Sequence, residues 1–481
     1  MTAAFDLTIR NGTLSTASET FCADIGVSDG RISALAERLP PGKTDIDATG
    51  RWVLPGGVDS HTHIEQRSSS GVMCADDFAS GTTSAAFGGT TTIMSFAAQH
   101  RGDSLTDVVA DYHARAAAKA VVDYAFHLII SDPRPEVLDV ELPALIDGGI
   151  RSFKVYMTYD KLKLDDGQLL EVMAVAQRER AMVMVHAENH EVIQWIARRL
   201  LDRGHRAPRF HAVAHAPVAE GEATHRVIAL STLLDQPLLI VHVSDPVAIG
   251  HIRAAQTLGV RVHGETCPQY LFLTADDIDK PGMDGAMWCC SPPPRDAAAQ
   301  EAVWRGLQNG TLQLFSSDHA PYRFDASGKL PLGGDTTFKE MANGVPGIEL
   351  RLPLLFSEGV MAGRITVNEF VALTATNHAR MYGLHPRKGT LAVGSDADIV
   401  LWDPTRRTTV DWSMLHDNVG YTPYAGRELR GWPATVIRRG EVIVDGGRLN
   451  AAPGSGRYLR CDVPQPLRIE RPAPPERRLF S

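Results

Sequence analysis

The sequence predicts an α/β protein: a (β/α)8, TIM-like barrel with a second, discontinuous β-sandwich domain formed by both chain ends. Three observations predict it. From Trp52 onward, short β-rich runs alternate with segments of helical periodicity, the pattern that yields a parallel sheet covered by helices. There are eight such runs, the number that closes a barrel of this kind. Both flanks instead alternate in period two around Asn-Gly and Asp-Gly pairs, which signal hairpin turns.

The first flank, "FDLTIRNGTLSTASETFCADIGVSDGRISALAE", turns at Asn11-Gly12 and Asp29-Gly30. A few hairpins bury too little apolar surface to stand alone, so this flank needs a partner. Near the other end, "KGTLAVGSDADIVLWDP" and "ATVIRRGEVIVDGGRL" repeat its style, and residues 1–54 and 385–460 are expected to fold together as the sandwich. Residues 55–384 are expected to form the barrel. Its strands are read in "RWVLPGGVDSHTH", "TTTIMSFA", "VDYAFHLII", "IRSFKVYMTY", "AMVMVHAE", "PLLIVHVS", "VRVHGETCP" and "LQLFSSDH". Between them, "SLTDVVADYHARAAAKA" and "EATHRVIALSTLLDQ" carry apolar residues at helical spacing. The Pro- and Arg-rich tail, residues 461–481, reads as an extended arm.

Composition narrows the function. Of 481 residues, 44% are hydrophobic and 22% charged, which is ordinary globular composition. The 48 basic and 57 acidic side chains give a net charge of −9, and the basic ones are dispersed except near the C-terminus. Neither nucleic acid nor an anionic membrane is favoured as a partner; a small molecule fits better. With no signal-like segment and no apolar run approaching a membrane span, a cytoplasmic location is expected. Cys22, Cys74, Cys267, Cys289, Cys290 and Cys461 show no CxxC spacing and read as reduced thiols.

The chemistry starts from Lys154, which lies inside the strand-forming run "SFKVYMTYD". A buried ammonium is costly unless it is paired, neutralised or chemically converted. His61 and His63 form "HTH" at the end of the first run, a spacing that points both imidazoles to one side. His186, His242 and Asp318 each follow an apolar run and so fall at strand C-terminal ends, the face where such barrels keep their active sites. Lys154 would project toward the same cluster. A desolvated lysine loses its proton more readily, and its free amine can combine with carbon dioxide to give a carbamate, N6-carboxylysine. Four neutral imidazoles and one carboxylate under-neutralise two divalent ions; a carbamate adds a second anionic ligand.

The chain resembles the hydantoinase and dihydropyrimidinase branch of the cyclic amidohydrolases, in the amidohydrolase superfamily. The resemblance runs through "PGGVDSHTH", "FKVYMTY", "VHAEN", "IVHVS", "GETCPQYL", "SPPPRD", "SDHAP", "NGVPGIELR" and "GSDADIVLWDP", in family order over almost the whole length. It implies a binuclear site, usually zinc: His61 and His63 on one ion, His186 and His242 on the other, carbamylated Lys154 bridging, and Asp318 on the first ion. A bridging hydroxide would attack the ring, with Asp318 carrying the proton to the departing nitrogen and Tyr159 stabilising the oxyanion. Ser291 and Asn343 match the positions whose backbone holds the imide edge of the ring, and Gly344 and Gly347 fit a loop whose backbone approaches a ligand. His319 is expected behind the catalytic aspartate, and His127, His215, His225, His251, His263 and His378 as structural groups. The reaction implied is hydrolytic opening of a cyclic ureide, a hydantoin or dihydropyrimidine, to an N-carbamoyl amino acid. A homo-oligomer, a tetramer by resemblance, goes with it.

One loop departs from the family. Where relatives commonly have an apolar, glycine-containing segment, this chain reads "IEQRSSSGVMCADDF". Its polarity predicts a hydrogen-bonding or acidic ring substituent, with Arg67 as the candidate partner of an acid. Glu65 stands where dihydroorotases carry a substrate-binding arginine, which argues against that activity; allantoinase also fits this loop less well. The branch contains the collapsin response mediators, scaffold proteins without the metal constellation, but all six candidate ligand positions are filled here.

Overall fold

The structure, a computed structural model, describes residues 4–467. Eight parallel strands follow one another in chain order: Gly57–Thr62, Thr90–Ala98, Asp123–Ile129, Ser152–Tyr156, Met182–His186, Leu238–Ile240, Val262–Thr266 and Leu314–Phe315. The circle closes at both ends of its seam. At the C-terminal mouth Thr62 and His319 form a parallel bridge, and the His63 amide donates to the His319 carbonyl at 2.8 Å. At the opposite end the buried guanidinium of Arg351 donates to the carbonyls of Val58 (3.0 Å) and Phe315 (2.9 Å), tying first strand to last.

These strands are buried almost throughout because both of their faces are covered. Alternate residues divide between two cores. Phe153, Val155, Val183 and Val185 pack outward under the helices, whereas Met94, Phe96, Tyr156, Met182, Met184 and Leu239 fill the lumen. Lys154 is in phase with Tyr156 and therefore faces inward. Among the helices, Leu105–Lys119 starts at Ser104, whose hydroxyl accepts from the Asp107 amide, as the periodicity predicted. The predicted helix at 222–236 begins earlier, at Pro217, a residue whose fixed φ suits a first turn.

Two further sheets come from the flanks. One has four strands, in the order Arg31–Ala36, Asp24–Ser28, Leu7–Arg10 and Thr44–Asp47. The other has seven and mixes the chain ends: Trp52–Pro55 pairs antiparallel with Ile399–Thr409, setting Trp52 opposite Trp402. Leu7, Ile25, Val53, Ile399, Leu401 and Ile437 form the core between them.

The structure corrects two sequence expectations. The run "RWVLPGGVDSHTH" is not one barrel strand; Trp52–Pro55 belongs to the seven-stranded sheet and only Gly57–Thr62 to the barrel. The break falls at Gly56, where a Cβ would lie 2.1 Å from Thr91 Oγ1, so the crossing from one sheet to the other needs glycine. Residues 456–462, assigned to the sandwich and the start of the tail, instead lie along the barrel. Tyr124 donates to the Arg457 carbonyl (3.0 Å), Leu459 to that of Tyr124 (2.8 Å) and Cys461 to that of Gly149 (2.9 Å). The rest of the predicted arm, residues 468–481, lies outside the described residues. All six cysteines are free thiols, and no helix among the described residues is long and apolar enough to cross a membrane.

Barrel and sandwich meet at Lys388. Its fully buried ammonium contacts Asp123 (2.7 Å) at the start of the third barrel strand, and Asp398 (2.7 Å) and Asp396 (3.1 Å) before the sandwich strand. Arg439 adds a further ion pair to Asp123. Removing the cation would leave buried carboxylates without compensation, so Lys388→Met is expected to lower the unfolding free energy by about 3–5 kcal/mol. The measurement is the guanidinium midpoint, and an unchanged midpoint would show that this joint is not stabilising.

Candidate metal centre and active site

Because the strands run parallel, their C-terminal residues share one mouth. His61 and His63 come from the first strand, Lys154 from the fourth, His186 from the end of the fifth, and His242 and Asp318 from just beyond the sixth and eighth. His61 Nε2 lies 2.7 Å from Lys154 Nζ and 3.0 Å from Asp318 Oδ1, and His63 Nε2 lies 3.3 Å from the same oxygen. His186 Nδ1 and His242 Nε2 are 2.8 Å apart, and the rings of His61 and His242 are separated by 5.6 Å. The donor atoms of His61, His63 and Asp318 fall within 4.8 Å of one another and could hold a metal ion.

The outward nitrogens are held separately. His61 Nδ1 meets Glu265 Oε1 at 2.6 Å, His63 Nδ1 meets Gln66 Oε1 at 2.8 Å, and His186 Nε2 meets Glu188 Oε2 at 2.7 Å. An oxygen acceptor on one ring nitrogen keeps the proton there and turns the other nitrogen's lone pair inward, the arrangement that metal-binding histidines use. Burial pulls the His63 pKa down to about 4 and lowers those of His186 and His242, so these imidazoles are neutral donors. At Asp318 burial acts upward, but the charge of His61 and the hydrogen bonds of His61 and His63 outweigh it and hold the carboxyl well below its usual range. Neutral imidazoles and a carboxylate form a donor set that suits divalent zinc or a similar ion.

Lys154 stands out. It is buried, its amine bonds among the described residues only to His61 Nε2, and Phe96 and Tyr156 cover it at 4.6 and 5.1 Å. Burial lowers its pKa to about 8, against weaker opposition from Asp318 and Glu265. A measurable fraction is free amine at neutral pH.

Backbone strain gathers at the same mouth. Tyr159, His242 and Asp318 have φ of 71°, 42° and 48°, a left-handed region that bulky side chains rarely occupy. Each sits where a strand end bends, and the bend turns the side chain over the lumen; such strain persists where surrounding packing enforces it.

A cavity of about 550 Å³ opens over the cluster, lined by His63, Lys154, His186, His242 and Asp318 and also by Tyr159, Ser291 and Asn343. All three residues expected to contact substrate are therefore brought to one space. Burial raises the Tyr159 pKa well above the ordinary tyrosine range, so its hydroxyl remains a proton donor. His319 lies behind Asp318: its Nε2 meets Asp76 Oδ2 at 2.9 Å and its Nδ1 accepts from the Gly347 amide at 3.1 Å.

Two expectations need revision. Arg67 is exposed and does not line the cavity; Gln66 and Ser68 to Ser70 do, so the polarity predicted for this wall comes from neutral groups. His215, expected to be structural, lines the cavity and bonds Glu188 at 2.8 Å. Glu65 turns away from the cavity to Lys119, at 3.0 Å. His127 and His378 bond barrel groups below the site, and His225 stacks on His251 between helices, which fits the structural role expected for them. Residue-level reading missed Glu188 and Glu265, and it placed Gln66 in the polar loop without pairing it with His63. The first two stood inside quoted motifs, "VHAEN" and "GETCP", but nothing in a linear sequence pairs Glu265 with His61.

A family model described as "Amidohydrolase family" matches residues 52–443. The D-hydantoinase of Rhizobium radiobacter is 42% identical over 456 residues, covering 95% of this chain and 98% of the relative. The chain belongs to the amidohydrolase family, in its hydantoinase branch. Consistent with that placement, the D-hydantoinase of Geobacillus stearothermophilus is 44% identical over 456 residues, covering 94% and 96% of the two chains. The solved dihydropyrimidinase of Brevibacillus agri NCHU1002 is similar with a TM-score of 0.92 at 42% identity, covering 97% of this chain and 99% of that one.

In this hydantoinase-branch chain Glu188 joins His186 to His215, and those two imidazoles hold its carboxyl well below the usual range against the upward pull of burial. Glu188→Gln is expected to weaken divalent metal binding by about 10–100-fold. Competition against a chromophoric chelator measures it, and unchanged affinity would deny Glu188 any part in orienting His186.

Proposed function

We propose that this chain is a metal-dependent cyclic amidohydrolase that opens hydantoins or dihydropyrimidines to N-carbamoyl amino acids. The observation that carries the reading is one cavity lined by His63, Lys154, His186, His242 and Asp318 together with Tyr159, Ser291 and Asn343, with His61 against Lys154 and Asp318, in a chain of the hydantoinase branch. His61, His63 and Asp318 would hold one ion, and His186 and His242 the other. The Lys154 amine would add to carbon dioxide and lose a proton, giving a carbamate between them. When bound, two divalent ions, for which zinc suits the donors, would supply Lewis acidity that lowers the pKa of water and polarises a carbonyl.

The chain's own groups do the rest. Asp318, kept ionised by His61 and His63, accepts the proton of the attacking water and returns it to the ring nitrogen as the amide bond breaks. Tyr159 keeps its hydroxyl proton and donates it in a hydrogen bond to the carbonyl oxygen as charge develops there. Backbone groups at Ser291 and Asn343 hold the imide edge, which fixes the ring while one bond opens. The serines at positions 68 to 70 and Gln66 give the wall neutral hydrogen-bonding groups, which suits a polar substituent better than an acidic one. A tetrameric assembly and a cytoplasmic setting belong to the same reading.

Purified protein is expected to carry about two divalent ions per chain and to lose ring opening of hydantoin or dihydrouracil on chelation. Fewer than one ion, or no turnover after metal replenishment, would point to a non-catalytic member of the branch. Asp318→Asn is expected to cost about 10²–10⁴-fold in kcat/KM. Equilibration with ¹³C-labelled carbon dioxide should give a carbamate carbonyl resonance that disappears in Lys154→Ala; a spectrum identical for both proteins would reject the modification.

A further inference from the structure

A second lysine is buried beside the cavity but outside the metal cluster. Lys329 is fully inaccessible, and its Nζ donates to three backbone carbonyls, those of Cys289 (2.8 Å), Ala342 (2.8 Å) and Gly344 (2.6 Å). An ammonium has three protons and no lone pair, so every donor is used.

The three carbonyls belong to two separate loops. One leads directly into Ser291; the other brackets Asn343. A backbone bond, from the Gly344 amide to the Cys289 carbonyl at 3.0 Å, also joins them. Gly344 has φ of 145° and no room for a Cβ, which would lie 2.4 Å from that of Ala320, so this loop is also pressed against the chain that follows Asp318. Lys329 is itself anchored, its amide donating to the Arg323 carbonyl at 2.8 Å. The segment it begins supplies Pro331, Leu332, Phe338 and Met341 to the cavity wall.

We propose that Lys329 is a positioning residue for ring recognition: its ammonium fixes the spacing between the backbone at Cys289–Ser291 and that at Ala342–Gly344, and roots the wall segment that follows. This deepens the cyclic-amide reading and rests on it. None of the hydrogen bonds of Lys329 reaches the six candidate metal ligands, so its influence falls on how the ring is held. Removing the ammonium leaves the buried carbonyls of Ala342 and Gly344 without their donor and that of Cys289 with the Gly344 amide alone, and repulsion among them parts the loops. Burial lowers the Lys329 pKa to about 8, which keeps the group mostly charged at neutral pH.

The test compares wild type, Lys329→Met and Lys329→Arg as metal-loaded proteins on hydantoin and dihydrouracil, with metal content and unfolding midpoint measured alongside. Lys329→Met is expected to raise KM by about 10-fold or more, as when a buried charged donor is lost, with kcat within about threefold and metal content unchanged. Lys329→Arg is expected to recover part of the KM, since a guanidinium can still donate to more than one of the carbonyls. A folded Lys329→Met protein with wild-type KM, or one whose loss lies wholly in metal content, would overturn the proposal while leaving the wider reading intact. Absence of turnover by wild type itself would overturn both. Should Lys329→Met fail to fold, Lys329→Gln, which keeps an amide donor, is judged by the same criteria.

Discussion

Everything at the mouth of this barrel depends on an ammonium placed where water cannot reach it. The strand Ser152–Tyr156 alternates its side chains between lumen and helices, and Lys154 falls in the lumen phase with Tyr156. There it exchanges a hydration shell for one imidazole nitrogen and two aromatic faces, a poor exchange for a full charge. The free amine is more accessible there than in water, and an amine surrounded by ligand-type side chains is one that chemistry can use. On the proposed reading its conversion into a carboxylate-like group removes the electrostatic penalty and supplies the negative charge that two cations require.

Three buried lysines in this chain show how environment decides what such a side chain becomes. Lys388 faces three carboxylates and remains an ion-paired cation that joins two structural units. Lys329 faces three carbonyl dipoles, which solvate it as water would and leave no lone pair to react. Lys154 bonds to neither, only to one imidazole nitrogen. Burial lowers the pKa of Lys154 and Lys329 alike, to about 8 in each, so burial alone does not select between them. Hydrogen-bond acceptors do.

Much of this was legible in the linear sequence, for physical reasons that also mark where legibility stopped. Eight apolar runs spaced by helical periodicities admit few arrangements other than a closed parallel sheet, and a strand's end is visible wherever an apolar run stops. His186, His242 and Asp318 could therefore be assigned to one face without any coordinates. Boundaries inside a run were harder: Gly56 reads as one more residue of a strand, and only the proximity of Thr91 shows why the chain changes sheets there. Partners across the barrel were invisible. Glu265 and His61 are 204 positions apart, and no periodicity links them. Arg67 could be read as the partner of an acidic substituent or as a solvated loop arginine, because residue type does not fix direction; the structure has the charged side chain exposed while the neutral ones line the cavity.

The pairing of Trp52 with Trp402 carries a consequence for how the molecule is made. On the ribosome, the strand Trp52–Pro55 emerges hundreds of residues before Ile399–Thr409, the strand that covers its open side. Throughout that interval Trp52 and Val53 present an unpaired apolar ribbon, the kind of surface that invites association with neighbouring nascent chains. Synthesis, rather than the finished protein's equilibrium, is then the vulnerable stage, and chaperone demand would fall most heavily while the barrel is complete and its flanking sheet is still waiting for its other half.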